Sequence, residues 1–150
     1  MPSPAELNLP VEFGNAGEVN TLGTGWFVGY SDWAREGAQL RFVPRDANAQ
    51  GLCVKWFEHE PGNPSGEPKP RSTGRTVSVM VSQISEFRID FSVDDGFPPQ
   101  STTTVVLRRS GDFAIWGPGI HHRAFGVQRA TILTVRWELT SGLPPARRLS

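Results

Sequence analysis

Apolar and polar residues alternate in two stretches near the middle of the chain. From Thr76 to Ser82, Val77, Val79 and Val81 fall on one side and Ser78, Met80 and Ser82 on the other; Phe87-Arg88-Ile89-Asp90-Phe91 repeats the pattern. A period of two marks a strand whose two faces meet different surroundings. The short link Gln83-Ile84-Ser85 between the two stretches predicts a hairpin. Other β-prone runs are Leu7 to Phe13, Trp26 to Tyr30, Leu40 to Val43, Cys53 to His59, Thr103 to Leu107, Phe113 to Trp116 and Thr131 to Trp137. The Cys53 to His59 run divides into a face with Val54, Trp56 and Glu58 and a face with Cys53, Lys55, Phe57 and His59. Asp32-Trp33-Ala34-Arg35-Glu36, closed by Gly37, predicts a single helical turn.

Between these runs stand 16 glycines and 13 prolines in 150 residues, spread as punctuation. Many short strands with frequent turns predict an all-β fold of roughly eight to ten strands, closed as a barrel or jelly roll so that few edges stay free. The chain suits one domain, with its core at about residues 20–139, a peripheral arm at 1–12 and a flexible tail at 140–150. The stretch Glu60 to Pro70 is a Pro/Gly loop too broken for a regular element.

Composition removes several function classes. Apolar residues make up 37% and charged residues 20%, as in globular domains. Fifteen basic and fifteen acidic residues cancel, so the chain has no overall field to hold a polyanion. That balance argues against nucleic acid and anionic membrane as partners. No apolar run has the length of a membrane span, and Met1 to Glu6 has no secretory-signal pattern, so a cytoplasmic protein is expected. The single cysteine, Cys53, allows no internal disulfide, and its place in Leu52-Cys53-Val54 predicts an inert buried thiol.

The densest cluster of candidate chemistry is Gly111-Asp112-Phe113-Ala114-Ile115-Trp116-Gly117-Pro118-Gly119-Ile120-His121-His122. A Gly-Asp turn leads through an apolar strand and a Pro-Gly turn into two of the chain's three histidines. In order and spacing this stretch resembles the second block of the cupins, and residues 52 to 137 resemble a single cupin domain. Val54 to Glu60 followed by Pro61-Gly62 is similar to the start of the first block. The resemblance implies a small double-stranded β-helix or jelly roll, a homodimer, and a working histidine at His122. Metal-bearing members of the family take two histidines and usually a glutamate from the first block. The matching stretch here, Pro70 to Thr76, has neither histidine nor carboxylate and carries Arg71 and Arg75 instead. His122 is thus the one family-position ligand, no cofactor is expected, and an atypical transition metal using His59, Glu58 and His122 stays open.

These residues define two readings. In the first, the barrel binds a small molecule without a family-type metal centre. His122 and the arginines supply polarity, and Trp56, Trp116 and Met80 line an apolar pocket. Arg71 and Arg75, if they project inward, match a carboxylate or phosphate. In the alternative, His122, with His59 as a second titratable group, is the acid or base of a metal-independent or atypical-metal isomerase, epimerase or lyase.

Overall fold

The structure, a computed structural model, describes residues 2–35, 39–62 and 69–140. Among these residues eight strands form two antiparallel sheets, the jelly-roll arrangement expected from the alternation pattern. They are β1 (Val11–Asn15), β2 (Asn48–His59), β3 (Arg75–Met80), β4 (Ile84–Ser92), β5 (Thr102–Arg109), β6 (Asp112–Trp116), β7 (His121–Gly126) and β8 (Ala130–Thr140), with one helical turn, α1 (Asp32–Arg35). The large sheet has the order β1-β6-β3-β8-β2 and the small sheet β5-β4-β7. Residues 60–62 and 69–72 lie beside β7 and the turn before it. Gly62 exchanges backbone hydrogen bonds with Gly126, the Lys69 N–H donates to the His122 carbonyl, and Ser72 pairs with Ile120 and Gly119. Pro61 and Pro70 stand next to these contacts and have no N–H to add to them.

Thr76 to Phe91 does not form the expected hairpin. β3 pairs with β6 and β8 in the large sheet, whereas β4 pairs with β5 and β7 in the small one. The chain between them turns a corner from one sheet to the other. Trp26 to Tyr30 and Leu40 to Val43 also fall short of strands; they meet through a single parallel bridge, Gly29 to Phe42. These two runs instead lie against the outer face of the large sheet. Phe27, Val28, Leu40 and Val43 pack there on Val77, Phe113, Ile115 and Trp137.

Apart from the exposed edge strand β2, the large sheet is therefore covered on both faces, and strand parity divides its side chains between two cores. Toward the small sheet, Leu9, Val11, Met80, Ala114, Trp116 and Ile132 meet Phe87, Ile89, Phe91, Val105 and Leu107. Toward the outer cover face Val77, Val79, Phe113, Ile115, Val135 and Trp137. Leu9 and Val11, expected in a peripheral arm, belong to the inner core, and β1 completes the edge of its own sheet beside β6. Cys53, expected to be buried, is exposed because β2 is an edge strand with no neighbour on its far side. The expected tail at 140–150 lies outside the described residues except for Thr140.

Phe91 is fully buried and its ring meets Trp116 at 5.1 Å, whereas Ile84 on the same strand is 85% exposed. Phe91→Ala is expected to cost about 3–5 kcal/mol of unfolding free energy. Ile84→Ala is expected to stay within about 0.5 kcal/mol. Urea denaturation of the two variants checks this, and similar costs at both sites would contradict the placement of the core.

Candidate functional site

Between the two sheets lies a cavity of about 390 Å³. Its floor is the inner face of the large sheet, read as successive rungs. Cys53, Arg136, Thr76 and Trp116 stand in register across β2, β8, β3 and β6, and Lys55, Thr134, Ser78 and Ala114 form the next rung. Phe57 and Ile132 follow, and then His59 and Ala130. The opposite wall comes from β4 and β7, where Phe91 pairs with His122, Ile89 with Ala124 and Phe87 with Gly126.

His122 is set at the start of β7 by its backbone. The Lys69 N–H donates to its carbonyl at 3.2 Å, and the Ser72 hydroxyl donates to the Gly117 and Ile120 carbonyls at 2.6 and 3.2 Å, fastening the turn that precedes it. The imidazole lies against Trp116, with ring centroids 4.9 Å apart. Its Nδ1 is sealed from solvent without a hydrogen-bond partner, as is the indole N–H of Trp116. Burial, reinforced by the positive charges of Arg136, Lys69 and Lys55 and by His121, pushes the His122 pKa down to about 4. The ring is therefore neutral at neutral pH. His59 is held below its ordinary value by burial and by Lys55.

The two imidazoles occupy opposite ends of the cavity. His122 pairs with Phe91, while the His59 ring sits between Phe57 and Phe87, 4.7 Å from each. Phe87 and Phe91 are four residues apart on β4, a separation of about 13 Å along a strand. The ring contacts hold the two histidines to those ends. Among the described residues the cavity lining includes no carboxylate and no thiol, and it carries Lys55, Lys69 and Arg136. Among the described residues no three histidine, cysteine or carboxylate side chains converge. Two separated imidazoles among three cations do not fit a transition-metal centre, which needs three or four converging donors. Glu58, part of the atypical ligand set, points away from the cavity and pairs with Arg129.

Of the other residues singled out in the sequence, Trp116 lines the cavity. Met80 is buried in the inner core beside it, and Trp56 stands on the outer face of β2, 65% exposed. Arg71 and Arg75 lie elsewhere. Arg71 donates to the Gly119 and Val93 carbonyls at 3.1 and 3.2 Å. Arg75 donates to the Leu40 and Phe42 carbonyls at 2.9 and 2.7 Å, clamping the outer cover to the sheet. Both guanidiniums are thus used as fasteners for loops. Asp112 organises the β5–β6 turn. Partial burial works to raise its pKa, but hydrogen bonds from the Asn15 amide and the Arg108 and Arg109 N–H groups prevail and hold it low. Asp90, another titratable group on β4, faces away from the cavity and binds Arg123 at 2.9 Å and the Thr104 hydroxyl at 2.7 Å.

Lys55, Lys69, Arg136, Thr76, Ser78 and Thr134 add further polar groups to the lining and were not foreseen as site residues. Two of these were within reach of parity. Lys55 shares its face with Phe57 and His59, and Arg136 shares its face with Ile132 and Thr134.

No family model matches the chain, and no curated protein matches it. Solved structures resemble part of this chain at low identity. One is HEPD of Streptomyces albus with 2-hydroxyethylphosphonate and Fe(II) bound, at 16% identity and a TM-score of 0.49 over 64% of this chain and 20% of that one. Another is hydroxypropylphosphonic acid epoxidase of S. wedmorenis, at 10% identity and a TM-score of 0.44 over 57% of this chain and 42% of that one. This chain therefore spans well under two thirds of either protein.

The depressed His122 pKa has a definite sign in stability. In the unfolded chain the ring titrates near its ordinary 6.5, and in the folded chain near 4. Between those values the unfolded state binds more protons, so stability rises with pH; it is fully present above 6.5 and is lost as pH falls toward 4. The loss from this residue is expected to be about 3 kcal/mol. Chemical denaturation at pH 7.5 and 4.5 should show His122→Leu losing correspondingly less stability on acidification than the parent chain. An equal loss in both would refute the buried neutral ring.

Proposed function

We propose that this is a cupin-like protein whose cavity binds a small anionic molecule. The observation that carries the reading is a cluster of three cations lining one cavity with no carboxylate paired to them among the described residues. Elsewhere five arginines are matched with carboxylates, Arg41 with Glu12, Arg109 with Glu18, Arg123 and Arg88 with Asp90, and Arg129 with Glu58 and Glu60, while Arg71 and Arg75 are taken up by backbone carbonyls. The cavity reverses this pattern. Lys55, Lys69 and Arg136 line it with no ion pair to any described carboxylate. Like charges gathered around one cavity disfavour the empty state and favour an anion that neutralises them. The sealed, unpartnered atoms of Trp116 and His122 at the same end support this reading, since buried polar groups are normally satisfied.

The alternative is a metal-independent isomerase, epimerase or lyase using His122. One observation favours it: the imidazole is held unprotonated, the state a general base requires. A bound anion beside the ring would raise its pKa toward the working range.

The reading predicts that a carboxylate stabilises the folded chain more than its neutral counterpart. Thermal unfolding with butyrate and butyramide is the comparison. Butyrate is expected to raise Tm and butyramide to leave it unchanged. Lys55→Met combined with Arg136→Gln is expected to weaken butyrate binding by about tenfold or more. Equal stabilisation by both compounds, or an undiminished butyrate effect in the double variant, would remove the anion site.

A further inference from the structure

The lining of the cavity is not uniform from end to end, and the difference follows the rungs. Thr76, Arg136, Trp116, Lys55, Thr134 and Ser78 occupy the two rungs at one end, with His122 facing them from β7. Phe57, Ile132 and His59 occupy the next rungs, facing Ile89, Ala124 and Phe87. His59 adds no charge at neutral pH to the second end, because burial first and then Lys55 hold its pKa below the ordinary value. Its ring, set between Phe57 and Phe87, extends the apolar wall.

We propose that the ligand is an amphipathic carboxylate, bound with its head at Arg136 and its apolar body along Phe57, Phe87, Ile89 and Ile132. The inference rests on the anion reading above and adds a body and an orientation to it. The donor set at the head end is specific. The Arg136 Nε–H donates to the Thr76 hydroxyl at 3.1 Å, which leaves the two terminal amino groups as a free fork. Such a fork matches the two oxygens of a planar carboxylate. Thr76, having accepted from Arg136, retains its own O–H to donate. The Ser78 and Thr134 hydroxyls, 2.8 Å apart, use one proton between them and keep the other. Arg136, Thr76, one hydroxyl of the Ser78–Thr134 pair and the Trp116 indole thus each have a proton to donate at this end, and an acceptor-only head can take them up. At the other end the wall offers rings and aliphatic side chains, and burying an apolar body there adds affinity at roughly 25 cal/mol per Å².

Isothermal titration calorimetry on the full chain separates head from body. Phenylacetate is expected to bind at least about tenfold more tightly than acetate, which has the head alone, or 2-phenylethanol, which has the body alone. Phe57→Ser should bring phenylacetate down to the level of acetate, and Arg136→Gln should bring it down to the level of the alcohol. Both side chains are solvent-exposed at β2 and β8, so both variants are expected to fold, which thermal melts verify. Arg108→Gln, outside the cavity, is the control and should change neither affinity. If acetate binds as tightly as phenylacetate and Arg136→Gln abolishes both, the anion site stands and the amphipathic ligand fails. If 2-phenylethanol matches phenylacetate and Arg136→Gln has no effect, the anion reading itself fails. Absence of binding by all three probes overturns both.

Discussion

The arrangement depends on the register of β8, the strand paired on one side with β2 and on the other with β3. Its residues alternate between two cores. Ile132, Thr134 and Arg136 face the cavity, while Val135, Trp137 and Leu139 pack under the outer cover. A slip of one residue would exchange these sets, driving Arg136 into the outer core and Trp137 into the cavity. The two cores therefore hold the register from both sides, and with it the rung order that places a cation, hydroxyls and rings along one wall. The outer cover is part of this constraint. Glu12 accepts the N–H groups of Gln39 and Leu40, and Arg75 clamps the Leu40 and Phe42 carbonyls, so the segment is fastened to the sheet it protects.

The same two-sided burial explains what could be read from the residues and what could not. Alternation in Thr76 to Phe91 located two real strands and their parity. It did not show that the valines of β3 face away from the barrel. A rule that sends the apolar face inward holds for a sheet with one wet side. Here Val77 and Val79 meet a cover built from Phe27, Val28, Leu40 and Val43, and this frees Thr76 and Ser78 to face the cavity. The cover has almost no regular structure, so no periodicity announced it. The corner between β3 and β4 was missed for a related reason, because a short link fits a hairpin and a change of sheet equally well.

The candidate site was legible in part. The Pro-Gly turn before His121-His122 and the lining positions of His122, His59 and Trp116 follow from local pattern. The arginines were misplaced because charge identity was weighed without the backbone around it. Arg71 and Arg75 lie beside loop and turn carbonyls, which accept their guanidinium protons. Arg136 sits mid-strand, where its neighbours on the same face are Thr134 and Ile132, and no such carbonyl is recorded as its partner. What distinguishes the cavity cation from the fasteners is a missing partner, a property that only the folded chain displays.

β2 closes one side of this cavity while remaining the free edge of its sheet. Its outer face exposes Leu52, Val54 and Trp56, a long apolar edge of the kind that recruits strands from other molecules. Two of its features oppose that. The pairing with β8 is interrupted between Gln50 and Cys53, where Gly51 takes a φ of 67°, and such a bulge twists an edge out of line. Lys55 then places a charge on the inner face, which a second strand laid alongside would have to desolvate. Replacing Lys55 would therefore remove more than a cation from the cavity, since it would also strip an edge strand of its guard against aggregation.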